Sequence, residues 1–290
     1  MHNVADPVVV GVDGGRAALS AAIWSVDEAV GRETSLRLVT VVDPGLMDVD
    51  IALSTARYAL QSAVEGIRAE NHTVRVQCCV TLGDVTNVLI DESRRAAILC
   101  LGADGVDPSP LGNRLPNASL LVGAALSPVA LVDRVRHRYA APADRWVVAL
   151  LGHPGSAATV LRAAITETRL RRAALMALTP PGQDADEYIT GIYGSAEWAA
   201  EGDLEIWAMP GVDDVLGIVA QCPELQHVIV VSADDICVLG QLISAISDPV
   251  HAGTNSSLLV VPRPRSRHAS FDTGVSLVDA LGVRGVQTCG

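Results

Sequence analysis

Along this chain, solid apolar runs alternate with stripes at helical spacing. "VVVGVDGG" (Val8–Gly15) is an apolar run closing in a glycine turn, and the stretch after it puts Leu19, Ala22, Ile23, Val26 and Val30 on one helical stripe. "LRLVTVVD" (Leu36–Asp43) predicts a second buried strand. Residues 52–70 follow as a helix with Leu53, Ala56, Leu60, Ala63 and Ile67 sharing a face. "TVRVQCCV" predicts a third strand, "VTNVLIDESRR" a helix, "AAILCLGA" a fourth strand, "ASLLVGAAL" a helix and "SPVALV" a fifth strand. Strands alternating with helices imply right-handed crossovers and a parallel sheet covered on both faces.

The series then begins again. "RWVVALLG" is a strand, "SAATVLRAAITETR" a helix with Val160, Leu161 and Ala164 inward, and "AALMALTP" and "LEIWAMPG" the next two strands. "VDDVLGIVAQC" is a helix, "HVIVVSAD" the fourth strand, "ICVLGQLISAIS" a helix and "SSLLVVP" the fifth strand. "AAILCLGADG" aligns with "QHVIVVSADD", and "LSPVALVDR" with "NSSLLVVPR", so the repeat has the period of a whole domain. The expected division is a first domain over 1–133, a charged, proline-containing linker over 134–145, a second domain over 146–262 and a tail over 263–290.

Composition narrows the chemistry. Hydrophobic residues make up 49% of the 290 and aromatics only 3%, so the core must be built from Val, Leu, Ala and Ile. The net charge of −12 repels a phosphate backbone and argues against nucleic-acid binding. All 21 basic residues are arginine. Without lysine the chain can run neither a Walker A loop nor Schiff-base chemistry. The six cysteines lack C-x-x-C spacing and mostly sit in apolar runs, where they read as small buried hydrophobes. No secretory leader is evident, and the longest apolar stretch, Leu120–Val132, is interrupted by Ser127 and Pro128. A cytoplasmic protein without membrane insertion is expected.

"VVVGVDGG", the Ala-rich helix carrying Trp24, a fourth strand ending "LGADG" and the fifth strand "SPVALV" together resemble the universal stress protein family. The resemblance covers residues 8–132 and 146–261, so the chain looks like a tandem universal stress protein. Tandem organisation and arginine in place of lysine suit an actinobacterial source. The resemblance implies an α/β fold of two tandem domains, each a five-stranded, doubly wound, Rossmann-like parallel sheet flanked by helices. It also implies an intramolecular pseudo-dimer of the two halves, and it leaves further homodimerisation open.

Some members of that family bind ATP, and the resemblance carries a cofactor site onto Gly11, Asp13, Val41, Gly102 and Gly105. Gly11 and Asp13 stand at the end of the first strand, Val41 on the second, and Gly102 and Gly105 open a phosphate loop of the form G-x-x-G, nine residues, G-[ST]. Glycines there let backbone N–H groups approach phosphate oxygens. Leu115 and Pro116 fall where the closing Gly and Ser/Thr belong. Leucine adds bulk, and proline removes a donor outright. Each lost bond to phosphate costs about 1.5–3 kcal/mol, and two imply roughly two to four orders of magnitude in affinity. Gly112–Asn113 or Ala118–Ser119 would serve instead if the loop is aligned one or more residues differently. In the second half, Gly152 or His153 stands in place of Asp13, Ser232 in place of Gly102 and Asp235 in place of Gly105. That half reads as structural.

Rival chemistry is weak. "HPGS" (His153–Ser156) lacks a nucleophile elbow, and Ser156 is better read as a helix cap. The histidines do not cluster at metal-ligand spacing, and Asp213–Asp214 and Asp234–Asp235 suit helix starts. No catalytic residue is singled out and no metal is expected; ATP hydrolysis stays open only as a weak side activity. The expected function is a stress-response protein that acts by binding, through a protein partner, with weak or absent ATP binding. The alternative is an adenine-nucleotide-binding regulator using the N-terminal site.

Overall fold

Val8, Val9 and Val10 are wholly buried, because helices cover both faces of the strand they build. The structure, a computed structural model, describes residues 5–45, 48–70, 73–103, 118–133, 144–193, 204, 206–211, 214–221, 225–247 and 256–263. In the first half, β1 (Val8–Gly11), α1 (Arg16–Gly31), β2 (Leu36–Val42), α2 (Val49–Ala69) and β3 (Val76–Leu82) are followed by α3 (Val85–Ser93), β4 (Ile98–Gly102), α4 (Ala118–Ala124) and β5 (Val129–Val132). The second half runs β6 (Arg145–Leu150), α5 (Ala157–Arg171), β7 (Ala174–Thr179), α6 (Ala185–Tyr193), β8 (Ile206–Pro210), α7 (Val215–Ala220), β9 (Gln226–Ser232), α8 (Ile236–Ser247) and β10 (Ser256–Val261). Side chains start three of the described helices: Asp48 accepts from Asp50 N at 3.0 Å before α2, Asp84 from Asn87 N at 2.9 Å before α3, and Asp184 from Glu187 N at 2.9 Å before α6.

All ten strands join one sheet in the order β3-β2-β1-β4-β5-β10-β9-β6-β7-β8. Every pairing is parallel except β5 with β10, which run antiparallel with Leu131 opposite Leu258 and Ala130 opposite Leu259. Registers repeat between halves. Val8 pairs with Leu36 and Ile98, and Val147 pairs with Leu175 and Val228. The sheet therefore reads as two five-stranded, doubly wound units related by an approximate two-fold at the β5–β10 seam. One core lies on each face, and each draws on both halves: Val8, Val10, Val147 and Ala149 face one side, Val9, Val148 and Ile229 the other.

Helices also meet across the seam. Arg171 of α5 is ion-paired with Glu28 of α1, while Arg32 of α1 bonds Glu167 of α5 at 2.8 Å. Within its own helix each arginine also holds its own glutamate, Arg32 to Glu28 at 3.0 Å and Arg171 to Glu167 at 3.1 Å. The Arg171 guanidinium lies 4.0 Å over the Trp24 ring. Both carboxylates are wholly buried. Burial and the nearby Glu28 charge push Glu167 up to about 8. Burial is the largest influence on Glu28 and works against its charge, but Arg171, the hydrogen bond with Glu167 and Arg32 together hold that group below the usual carboxylate range.

Three expectations change. The predicted stripe on α1 is displaced: Val30 is exposed, whereas Trp24, Ser25 and Glu28 are buried. Alpha1 lies between the sheet, α2 and α5, so its covered arc is wider than one stripe and includes the ion-paired face. Helix α6 is absent from the predicted series because its few turns follow the loop sequence "PPGQD". Cys78 and Cys237 are exposed, and among the described cysteines only Cys100 is buried. Cys78 lies on β3, one of the two edge strands of the sheet, where a helix does not cover every residue.

Candidate functional site

Beta1 lies between β2 and β4, so the chain leaves it in one direction and returns on its other side. A crevice at such a switch point opens at the carboxyl ends of the strands. Gly11 ends β1 opposite Val39, and Val10 lies opposite Cys100. Continuing each strand two residues brings Asp13, Val41 and Gly102 to the same end of three neighbouring strands. Four of the five predicted site residues therefore converge. The fifth, Gly105, lies outside the described residues, as do Leu115, Pro116, Gly112 and Asn113. Ser119 is exposed in the first turn of α4.

Asp13 is half-buried, and its Oδ1 accepts from Gly15 N at 2.8 Å, which shapes the turn into α1. Gly14 between them has φ +86°, a left-handed conformation that favours glycine. Val41 is buried among Val9, Val39, Leu89 and Leu101. Gly102 has a structural reason of its own: a Cβ there would lie 2.5 Å from the carbonyl carbon of Ala17 and 2.6 Å from the nitrogen of Ala18. The first turn of α1 presses directly on the end of β4. At Gly11 a Cβ would meet the Leu101 side chain at 2.6 Å.

Carboxylates gather on this rim. Asp13, Asp43 and Asp84 follow β1, β2 and β3, and each closes a local turn through a backbone N–H. Donors committed to these turns are not available to an incoming anion, and the carboxylates oppose one.

The second half has a different crevice. Counted from Val147, the counterpart of Val8, the residue equivalent to Asp13 is Gly152 rather than His153. Ser232 takes the Gly102 position, and its hydroxyl accepts from Asp234 N at 3.1 Å. Asp234 in turn pairs with Arg263 at 3.1 Å. Tyr188 of α6 donates to Leu151 O at 2.9 Å across the end of β6. Ser156 occupies the N-cap position of α5 without capping it; its hydroxyl lies 3.4 Å from His153 Nδ1 and from His153 O. Asp214 precedes α7, likewise without a side-chain cap, and Asp213 lies outside the described residues.

Among the described residues, no group of three or more His, Cys, Asp or Glu could hold a metal ion, and no helix is long and apolar enough to cross a membrane. The sequence reading missed the Glu28–Arg32–Glu167–Arg171 network. A signal was present: Glu-x-x-x-Arg occurs once near the end of the first helix of each half.

Residues 5–123 match the sequence model of the Universal stress protein family. Universal stress protein Rv3134c of Mycobacterium tuberculosis is 40% identical over 174 residues, which are 59% of this chain and 63% of that protein. The match thus spans less than two thirds of that relative's length. Universal stress protein Rv2624c of the same organism is 28% identical over 267 residues, covering 88% of this chain and 96% of the relative. The crystal structure of a universal stress protein from Archaeoglobus fulgidus shares the fold with a TM-score of 0.61 at 14% identity, over 91% of this chain and 99% of that one.

Proposed function

We propose, from the match of residues 5–123 to the Universal stress protein family and from the similarity to universal stress proteins of Mycobacterium tuberculosis, that the chain serves a stress response by binding a protein partner, with weak or absent affinity for ATP. In this reading the chain is cytoplasmic and runs no catalytic reaction. Residues 1–133 and 146–262 act as a built-in pseudo-dimer joined by the 134–145 linker.

The observation that carries the reading is the environment of Gly102. Its lack of a side chain is accounted for by the backbone of Ala17 and Ala18, so the glycine is required whether or not phosphate binds. What is left of a phosphate loop is Gly105 with Leu115 and Pro116, a combination short of one donor and one hydroxyl. The carboxylate rim of Asp13, Asp43 and Asp84 points the same way.

A second reading has its own support. Gly11, Asp13, Val41 and Gly102 converge at a switch point, as an adenine nucleotide site in the first half requires. Thermal unfolding with and without millimolar ATP separates the two. An unchanged midpoint supports the partner-binding reading. A rise that disappears in Asp13→Ala establishes the nucleotide site and sinks the first reading.

A further inference from the structure

A cavity of ≈ 270 Å³ opens on the opposite end of the second half, between α7 and α8 and above β9 and β10. Leu216, Val219, Ile229, Leu242 and Ile246 line it with aliphatic carbon, and Ser256, the first residue of β10, also lines it. Ser256 is 4% exposed, and its hydroxyl has no hydrogen-bond partner among the described residues.

The first half has a side-chain tie at the corresponding place. Alpha3, which precedes β4, has 9 residues, whereas α7, which precedes β9, has 6. The last turn of α3 closes the corresponding place in the first half. Ser93 donates to Ile90 O at 2.6 Å and accepts from Leu126 N at 3.0 Å, tying α3 to the end of α4. Pro223 and Asn255, the counterparts of Ser93 and Leu126, lie outside the described residues. Ser127, the counterpart of Ser256, is also buried without a partner, so a hydroxyl alone marks nothing. In the second half that hydroxyl stands beside the aliphatic lining of this cavity.

We propose that this cavity between α7 and α8 binds a compact, uncharged, largely hydrocarbon molecule, which gives Ser256 its missing hydrogen bond through a single hydroxyl or carbonyl. Size and chemistry both select that class. An apolar cavity of about 150 Å³ accepts a benzene ring, so this one accommodates a ring with a substituent or a short alkyl chain. Among the described residues no charged side chain lines it, so an ion would find no compensation for its lost hydration from them. The site is separate from the Asp13 crevice, and its test does not depend on whether ATP binds.

The test uses benzyl alcohol and toluene, nearly equal in shape, added to the full chain with methyl-labelled Leu, Val and Ile. Saturable shifts of the Val219, Leu242 and Ile246 methyl groups are expected with both probes. Ser256→Ala should weaken benzyl alcohol about five- to tenfold and leave toluene unchanged, the signature of one hydrogen bond. Ala245→Leu, which fills the cavity, should remove binding of both. Absence of saturable shifts at millimolar probe, or shifts confined to other methyl groups, overturns the proposal. An equal effect of Ser256→Ala on both probes overturns the hydrogen bond. Should Ala245→Leu fail to fold, the methyl map and the Ser256→Ala comparison still decide.

Discussion

Arg171 of α5 is ion-paired with Glu28 of α1 across the seam between the two halves, with the Trp24 ring beneath its guanidinium. Together with Arg32 and Glu167 the pair forms a four-member network in which each arginine holds one carboxylate from each half. Removing one member leaves an uncompensated buried charge. Arg171→Ala should therefore lower unfolding stability by about 3–5 kcal/mol, measured by urea denaturation. Replacing all four residues with apolar side chains of similar volume should restore most of that loss, because the pairs also carry a desolvation cost. A neutral Arg171→Ala variant would mean that the seam is held by β5–β10 and packing alone.

The same network gives stability a pH dependence. Glu167 is pushed up to about 8 by burial and by Glu28, so the folded chain holds a proton that the unfolded chain has released. Its contribution is complete below the ordinary carboxylate value of 4.5 and is lost as pH rises through about 8. Glu28 is shifted the other way, and its contribution is lost as pH falls below 4.5. Denaturation midpoints at pH 6 and pH 8.5 should differ more for the parent chain than for Glu167→Gln. Equal slopes in the two proteins would rule out Glu167 as the titrating group.

Glycine-to-alanine changes should split by position. Gly102→Ala drives a Cβ into the backbone of α1 and should cost about 1–3 kcal/mol. Gly240→Ala, within α8 and with nothing inside 4 Å of the new carbon, should instead raise stability by about 0.5–1 kcal/mol. Thermal melts of the two variants against the parent check both signs at once.

Restoring the phosphate loop is a direct test of the proposed weak ATP affinity. Leu115→Gly with Pro116→Ser returns a backbone donor, a hydroxyl and a flexible glycine. The double variant should bind ATP at least about tenfold more tightly than the parent by calorimetry, since each regained bond to phosphate is worth about 1.5–3 kcal/mol. Equal affinity would show that this pair is not the limiting lesion.

Thiol labelling should discriminate among the described cysteines. Burial pushes the Cys100 thiol far up, whereas Cys78 and Cys237 are exposed. Peptide-resolved alkylation of the native chain should modify Cys78 and Cys237 first and reach Cys100 only on unfolding. Early modification of Cys100 would show that the sheet opens locally near β4.

Sequence alone determined the strands, because unbroken runs such as Val8–Val10 and Val228–Val231 suit only strands covered on both faces. It also determined the pairing of the halves: the alignment of "AAILCLGADG" with "QHVIVVSADD" agrees with the observed register of Ile98 and Val228. Local spacing carried both readings, since side chains of one strand or helix share a face by geometry. What only the tertiary structure decided depends on partners distant in the chain. Glu28 and Glu167 look like surface charges until α1 and α5 meet. The packing requirement for glycine at 102 becomes visible only once α1 is laid on β4. The cavity beside Ser256 is lined from α7, α8, β9 and β10 together, and no local spacing in the sequence brings those elements to one place.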